Sequence, residues 1–174
     1  MAYPDFGITY CVYSVTYDKI KAYLMELDIA YARTLGGDNN SFMLPEDWYA
    51  WMPTIHHKNP KLYEYIEEFV NLDLSPGTYV ARRAPRLFYM WGHTYEFERD
   101  NNWDILYTFC EKMSHKEDTW YATNIEICEY VNAYNSLIYS ADGTKVFNPT
   151  HQKIWFDIDG KMYSINCGET INII

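Results

Sequence analysis

Five histidines are the side chains of this sequence best suited to acid–base or metal chemistry, because an imidazole changes charge near neutral pH. One of them, His93, ends an apolar aromatic run that begins after Pro85 and is interrupted by Gly92. The run is too short for a typical helix and predicts a buried strand. In α/β folds with parallel strands, chemistry gathers at the carboxyl ends of the strands. We therefore predict that His93 exchanges a proton with a substrate; the alternative is a hydrogen-bonded core histidine.

Acidic residues follow His93 as a short cluster, Glu96, Glu98 and Asp100. We assign substrate binding to Glu96. The alternative for the cluster is a solvated loop and helix N-terminus, where acidic side chains are favoured in any case.

Two further histidines, His56 and His57, are adjacent in the sequence. Neighbouring strand residues point to opposite faces, so the two could bind one ion together with His93 only where a loop bends the chain. We expect ordinary rim or core histidines here and assign no metal ligand. His115 and His151 lie among polar residues and are expected to be exposed.

Helical and strand patterns alternate along residues 1–135, which indicates a parallel α/β architecture. Apolar spacing and start signals predict helices that begin near Thr16, Asn59, Asp100 and Thr123, the last with a Thr-x-x-Glu capping box. Short strands are predicted between the helices, at residues 29–33, 51–57, 87–93 and 119–122.

The pattern changes after residue 135. Five short strand-like segments follow, and Asp142-Gly143 and Asp159-Gly160 have the form of hairpin turns. We predict two domains, an α/β part over 1–135 and a small antiparallel β module over 136–174.

Composition excludes several classes of partner. The net charge of the 174 residues is −10, the pI is about 4.8, and the sequence has no basic stripe, so nucleic acid is not expected as a ligand. The N-terminus lacks the pattern of an export signal, and no apolar segment has the ~18 residues of a membrane span. The four cysteines are widely spaced and contain no CxxC pair, which predicts reduced thiols and a cytoplasmic protein.

Aromatic residues make up 18% of the sequence, including 18 tyrosines and 6 tryptophans. Their flat apolar faces and polar edges suit sugar rings, while the alternative is that they fill a core and its rim.

Several segments, in this order and spacing, resemble the polysaccharide deacetylases, metal-dependent carbohydrate de-N-acetylases with a distorted (β/α) barrel. The matching segments are Ala2-Tyr3-Pro4 with Gly7, Pro53-Thr54-Ile55-His56-His57, Leu87 to His93, and Trp120 to Ile127. The resemblance extends over most of residues 1–135. It implies a partial (β/α) barrel of alternating parallel strands and helices, the C-terminal half of the catalytic domain.

In that family a divalent metal, with zinc the expected ion, is held by one Asp and two His and activates water against the amide carbonyl. This sequence has no Asp-Asp pair, no His-x-x-x-His pair, and no arginine opening the Tyr-Pro motif. By the resemblance, His93 would be the general acid, while Tyr3 would help to form the acetyl pocket. We assign Tyr3, Trp91 and Glu96 to substrate binding.

The resemblance implies hydrolysis of N-acetyl groups on carbohydrate once an N-terminal half supplies the metal ligands. The alternative functions are a non-catalytic carbohydrate-binding descendant of the family, or an interaction domain. A half barrel leaves strand edges open. We therefore predict a homodimer, pairing with the N-terminal half, or cover by the C-terminal strands.

Overall fold

The computed structural model describes residues 14–35, 39–73 and 85–173. These divide into two compact units, one ending at Thr119 and one beginning at Trp120. Helices and small sheets are mixed, which confirms the α/β class at this coarse level, and the described residues contain no closed barrel. Within the same ranges, none of the helices has the length and apolar content that crossing a bilayer requires. Tyr3 and its motif lie outside the described residues.

Helices form most of the first unit. The second of them, α2, buries Leu62, Tyr65 and Ile66, whose i, i+3, i+4 spacing places them on one stripe. This stripe joins Phe42, Ile55 and Met113 in one apolar core. The helical elements of this unit are α1 (Ser14–Glu26), a 3-10 turn (Trp48–Ala50), α2 (Leu62–Val70), α3 (Thr94–Arg99) and α4 (Trp103–Met113).

Two very short strands, β1 (Ile55–His56) and β2 (Met90–Trp91), pair in parallel and place His56 opposite Trp91. Just before the strands, the Thr54 hydroxyl accepts a hydrogen bond from the Tyr89 amide (2.9 Å) and donates one to the Leu87 carbonyl (3.3 Å). The strand predicted over 87–93 is wrong in length. Only Met90 and Trp91 pair with β1, which ends at His56.

The second unit joins one helix to antiparallel strands. The capping box that begins α5 is confirmed, because the Glu126 carboxylate accepts from the Thr123 amide (2.7 Å) and the Thr123 hydroxyl accepts from the Glu126 amide (3.5 Å). The strand predicted at residues 119–122 is wrong, because these residues form no strand. The elements are α5 (Asn124–Asn135), β3 (Ile138–Tyr139), β4 (Lys145–Phe147), β5 (Ile154–Ile158), β6 (Lys161–Ile165) and β7 (Thr170–Asn172).

Antiparallel pairing after residue 135 is confirmed, with one sheet in the order β3-β4-β7 and a separate β5–β6 hairpin. Asp159 and Gly160 both have positive φ, 52° and 85°, as a two-residue turn of the primed type requires. Alternate residues of β5, Ile154 and Phe156, are buried and pack with Ala133 of α5. The helix α5 thus belongs with the strands, and the second unit begins earlier than residue 136.

Candidate functional site

The parallel pair β1–β2 places the ends of both strands side by side. The His57 amide continues the pairing by donating to the Trp91 carbonyl (3.0 Å). The chain then leaves β1 through a turn at His57-Lys58, and it leaves β2 through Gly92 into α3. Side chains from the β1 turn and from the first turn of α3 meet in the space between these two exits.

Glu96 of α3 points toward both adjacent histidines. Its Oε2 atom lies 3.5 Å from Nε2 of His56 and 3.9 Å from Nε2 of His57. The three side chains offer ligand atoms that all lie within 4.8 Å of one another. These residues, which we call the His-His-Glu cluster, have the composition of a metal-binding site.

The carboxylate of Glu96 is buried and has a partner on each oxygen. Oε1 accepts from the Lys58 ammonium (2.8 Å), and Oε2 accepts from the His93 amide (3.2 Å). Lys58 also contacts Asp100 at 2.5 Å, so one ammonium bridges two carboxylates. The hydrogen bond from Lys58 is the main cause that lowers the pKa of Glu96 to about 2. Glu96 is therefore ionised throughout the neutral range.

His57 is the most enclosed member of the cluster, with a side chain that is 0% exposed. Neither ring nitrogen makes a hydrogen bond of acceptable distance and angle within the described residues. The ring packs against Phe97, with 4.3 Å between ring centroids. Gly92 makes room for it, because a Cβ atom at that position would lie 1.9 Å from Nδ1 of His57. Burying an imidazole without a hydrogen bond is costly.

His56 borders the solvent, since its side chain is 25% exposed. Its Nδ1 atom accepts a hydrogen bond from the Lys58 amide (3.1 Å), and its ring meets the Trp91 ring edge-on at 4.5 Å. A neutral ring that accepts at Nδ1 carries its proton on Nε2. His56 would hold a metal through Nε2 only with its proton on Nδ1, at the expense of the hydrogen bond from the Lys58 amide.

Burial lowers the pKa of both histidines, because a charged imidazolium is poorly solvated in this position. The Trp91 carbonyl opposes this shift at His57 without reversing it. Both rings are therefore neutral near pH 7, and the one lone pair of His56, on Nδ1, accepts the hydrogen bond from the Lys58 amide.

Two of the predicted site residues, His93 and Glu96, differ in burial. His93 is exposed, so it is not a core histidine, and its ring stacks on Tyr95 with 5.3 Å between centroids. Glu96 is buried, so it is not solvated, but it lies in the first turn of α3, as the helix N-terminus alternative has it; Glu98 and Asp100 are exposed.

Trp91 lies beside the cluster, but one face of its ring is covered by the Arg33 guanidinium at 4.2 Å. Exposure of His115 and His151 is confirmed.

Sequence patterns missed the convergence of His56 and His57. Strand alternation was applied to both, whereas only His56 belongs to β1 and the chain already turns at His57. The breaker pair Asn59-Pro60, directly after Lys58, was a signal that the strand ends here. The role of Lys58 was also missed, because no local pattern links it to Glu96.

Two imidazoles and a carboxylate fit the divalent metal that the resemblance implies, although they are not the Asp and two His of that family. Compared with protein-family models, with curated proteins and with solved structures, the chain matches none.

Proposed function

We propose that this chain takes part in the hydrolysis of N-acetyl groups on carbohydrate, as a polysaccharide deacetylase-like protein that an N-terminal half completes. The observation that supports it most is the meeting of His56, His57 and Glu96 at the carboxyl ends of two parallel strands. In open α/β sheets ligands bind outside the carboxyl ends of the strands. The polar groups of this cluster lie where such a ligand would be placed.

His93 would act as the general acid that protonates the leaving amine. The His93 side chain is exposed and lies just before α3. The backbone amide of His93 donates to Glu96 (3.2 Å), which places the residue next to the cluster. A general acid must reach the reacting group, so exposure supports this role. Trp91 and Glu96 would contact the sugar only through the surfaces that Arg33 and Lys58 leave open.

A non-catalytic carbohydrate-binding function is the second candidate. Exposed aromatic side chains favour it, including Tyr107 in the first unit (70% exposed) and Tyr139 in the second (48% exposed). Flat aromatic faces in contact with water are the groups on which sugar rings stack.

Acetate release from N-acetylchito-oligosaccharides tests the first candidate. It should be measured on the full chain, alone and co-expressed with an N-terminal half that contains the Asp-Asp and His-x-x-x-His pairs. We expect activity in the completed protein and a loss of about 100-fold or more in His93→Gln, because general acid catalysis is of this size. The matched control is His115→Gln, an exposed histidine far along the chain, which should keep full activity.

If the completed protein releases no acetate but the oligosaccharide still shifts the NMR signals of exposed Tyr or Trp rings, the binding function holds. If neither activity nor binding is found, both candidates fail.

A further inference from the structure

We propose that His56, His57 and Glu96 bind one divalent transition-metal ion, such as zinc, as a site of two histidines and one carboxylate. This goes beyond the proposed function, because the resemblance assigns the family's metal ligands to an N-terminal half and not to His56, His57 or Glu96. The site proposed here is made entirely by residues of this chain.

The spacing of the donor atoms supports the proposal. Zinc binds imidazole nitrogen and carboxylate oxygen at 2.0–2.2 Å, so two ligands of a tetrahedral ion are separated by about 3.3 Å. The Nε2 atoms of His56 and His57 lie 3.5 and 3.9 Å from Oε2 of Glu96. The ligand atoms of the three residues all lie within 4.8 Å of one another, so binding would draw donor atoms together by at most about 1.5 Å.

The chemistry of the donors selects the class of ion. Two imidazoles and one carboxylate suit zinc and neighbouring transition metals, whereas calcium and magnesium prefer sites built from oxygen atoms. The Lys58 ammonium lies on the other oxygen of Glu96, Oε1, at 2.8 Å. It therefore fixes the carboxylate from behind and leaves Oε2 facing the histidines.

His57 supplies an independent observation that a ligand belongs here. Its side chain is fully enclosed, and neither ring nitrogen has a hydrogen-bond partner within the described residues. A buried imidazole of this kind is normally satisfied by a protein group, by ordered water or by an ion. Nε2 of His57 lies 3.9 Å from Oε2 of Glu96, so an ion bound by both atoms would satisfy it.

The site has an open side. His56 is 25% exposed and Glu96 is 12% exposed, so solvent reaches the cluster from the His56 edge. Three protein ligands leave one tetrahedral position for water, which is the arrangement of catalytic rather than structural zinc. A substrate amide could approach the ion from this side.

Metal titration of the untagged full chain, stripped with a chelator beforehand, tests the site. Calorimetry with Zn²⁺ measures stoichiometry and affinity, and the visible spectrum of added Co²⁺ reports a low-coordinate site directly. We expect one ion per chain. In Glu96→Gln and in His56→Gln the affinity should fall by about 100-fold or more, since even outer-shell changes cost 10–100-fold. His115→Gln is the matched control, an exposed histidine outside the cluster, and should bind as the unaltered chain does.

The proposal is overturned if the unaltered chain binds neither ion, if both cluster variants bind like the unaltered chain, or if His115→Gln abolishes binding. Far-UV circular dichroism identifies a variant that fails to fold, and the other variant then decides. Metal binding without acetate release would refute the proposed deacetylation alone. If the completed protein releases acetate but the cluster variants bind metal as tightly as the unaltered chain, this site alone is refuted.

Discussion

Replacing Gly92 by alanine should displace the imidazole of His57 and destabilise the first unit. A Cβ at this position would lie 1.9 Å from Nδ1 and 2.6 Å from Cε1 of the ring, whereas real Cβ contacts are not found under 3.0 Å. The ring therefore has to retreat by about 1 Å. It is fully enclosed and packs against Phe97, so it cannot swing into solvent. Overpacking of this kind costs about 1–3 kcal/mol of unfolding free energy.

A double-mutant cycle separates the collision from backbone strain. Gly92 has a φ of +157°, so alanine is disfavoured there even without His57. Chemical denaturation should be measured for Gly92→Ala, His57→Ala and the double variant. Once the ring is gone, the added methyl group has space, and we expect a coupling of about 1–3 kcal/mol between the two changes.

Gly143 offers the matched control, because its φ is also positive (+68°) but a Cβ there would meet nothing within 4 Å. Gly143→Ala should therefore add to His57→Ala without coupling. The packing described for Gly92 and His57 is refuted if their changes are additive, or if Gly92→Ala is as stable as the unaltered chain.

Three further predictions concern charge and hydrogen bonding. Lys58→Met should raise the pKa of Glu96 from about 2 toward 4.5, because the Lys58 hydrogen bond is the main cause of the shift. NMR titration of the Glu96 carboxyl carbon measures this pKa, and an unchanged value would contradict the prediction. Glu96 should stabilise the fold fully above about pH 4.5 and lose this contribution as the pH falls toward 2. In Glu96→Gln the free energy of unfolding should therefore fall less steeply with pH below about 4.5. Asn148→Ala should cost about 2–3 kcal/mol on denaturation, because this fully buried amide bonds the Gln152 carbonyl (2.7 Å) and the Thr150 amide (2.9 Å); a loss under about 0.5 kcal/mol would contradict it.

Local chemistry made much of the second unit predictable. Asp159-Gly160 fixes a tight hairpin by its positive φ values, and Thr123 with Glu126 fixes the start of α5. These signals act over a few residues, so tertiary packing does not override them. The amphipathic stripe of α2 was predictable for the same reason.

The candidate site could be predicted only in its parts. The helix α3 spans six residues, too few for a 3.6-residue period to appear, and it begins just after an apolar run that predicts a strand. Burial of Glu96 follows from contacts with Lys58 and with the two histidines, all far away in the sequence. Such contacts depend on the pairing of β1 with β2, which leaves no local pattern.

Anomalous diffraction at the zinc absorption edge, from crystals of the untagged chain grown with Zn²⁺, tests the central claim most directly. The account predicts one strong peak about 2.0–2.2 Å from Nε2 of His56, Nε2 of His57 and Oε2 of Glu96. A strong peak at His93, His115 or His151 with none at the cluster, or no peak at all, would contradict it.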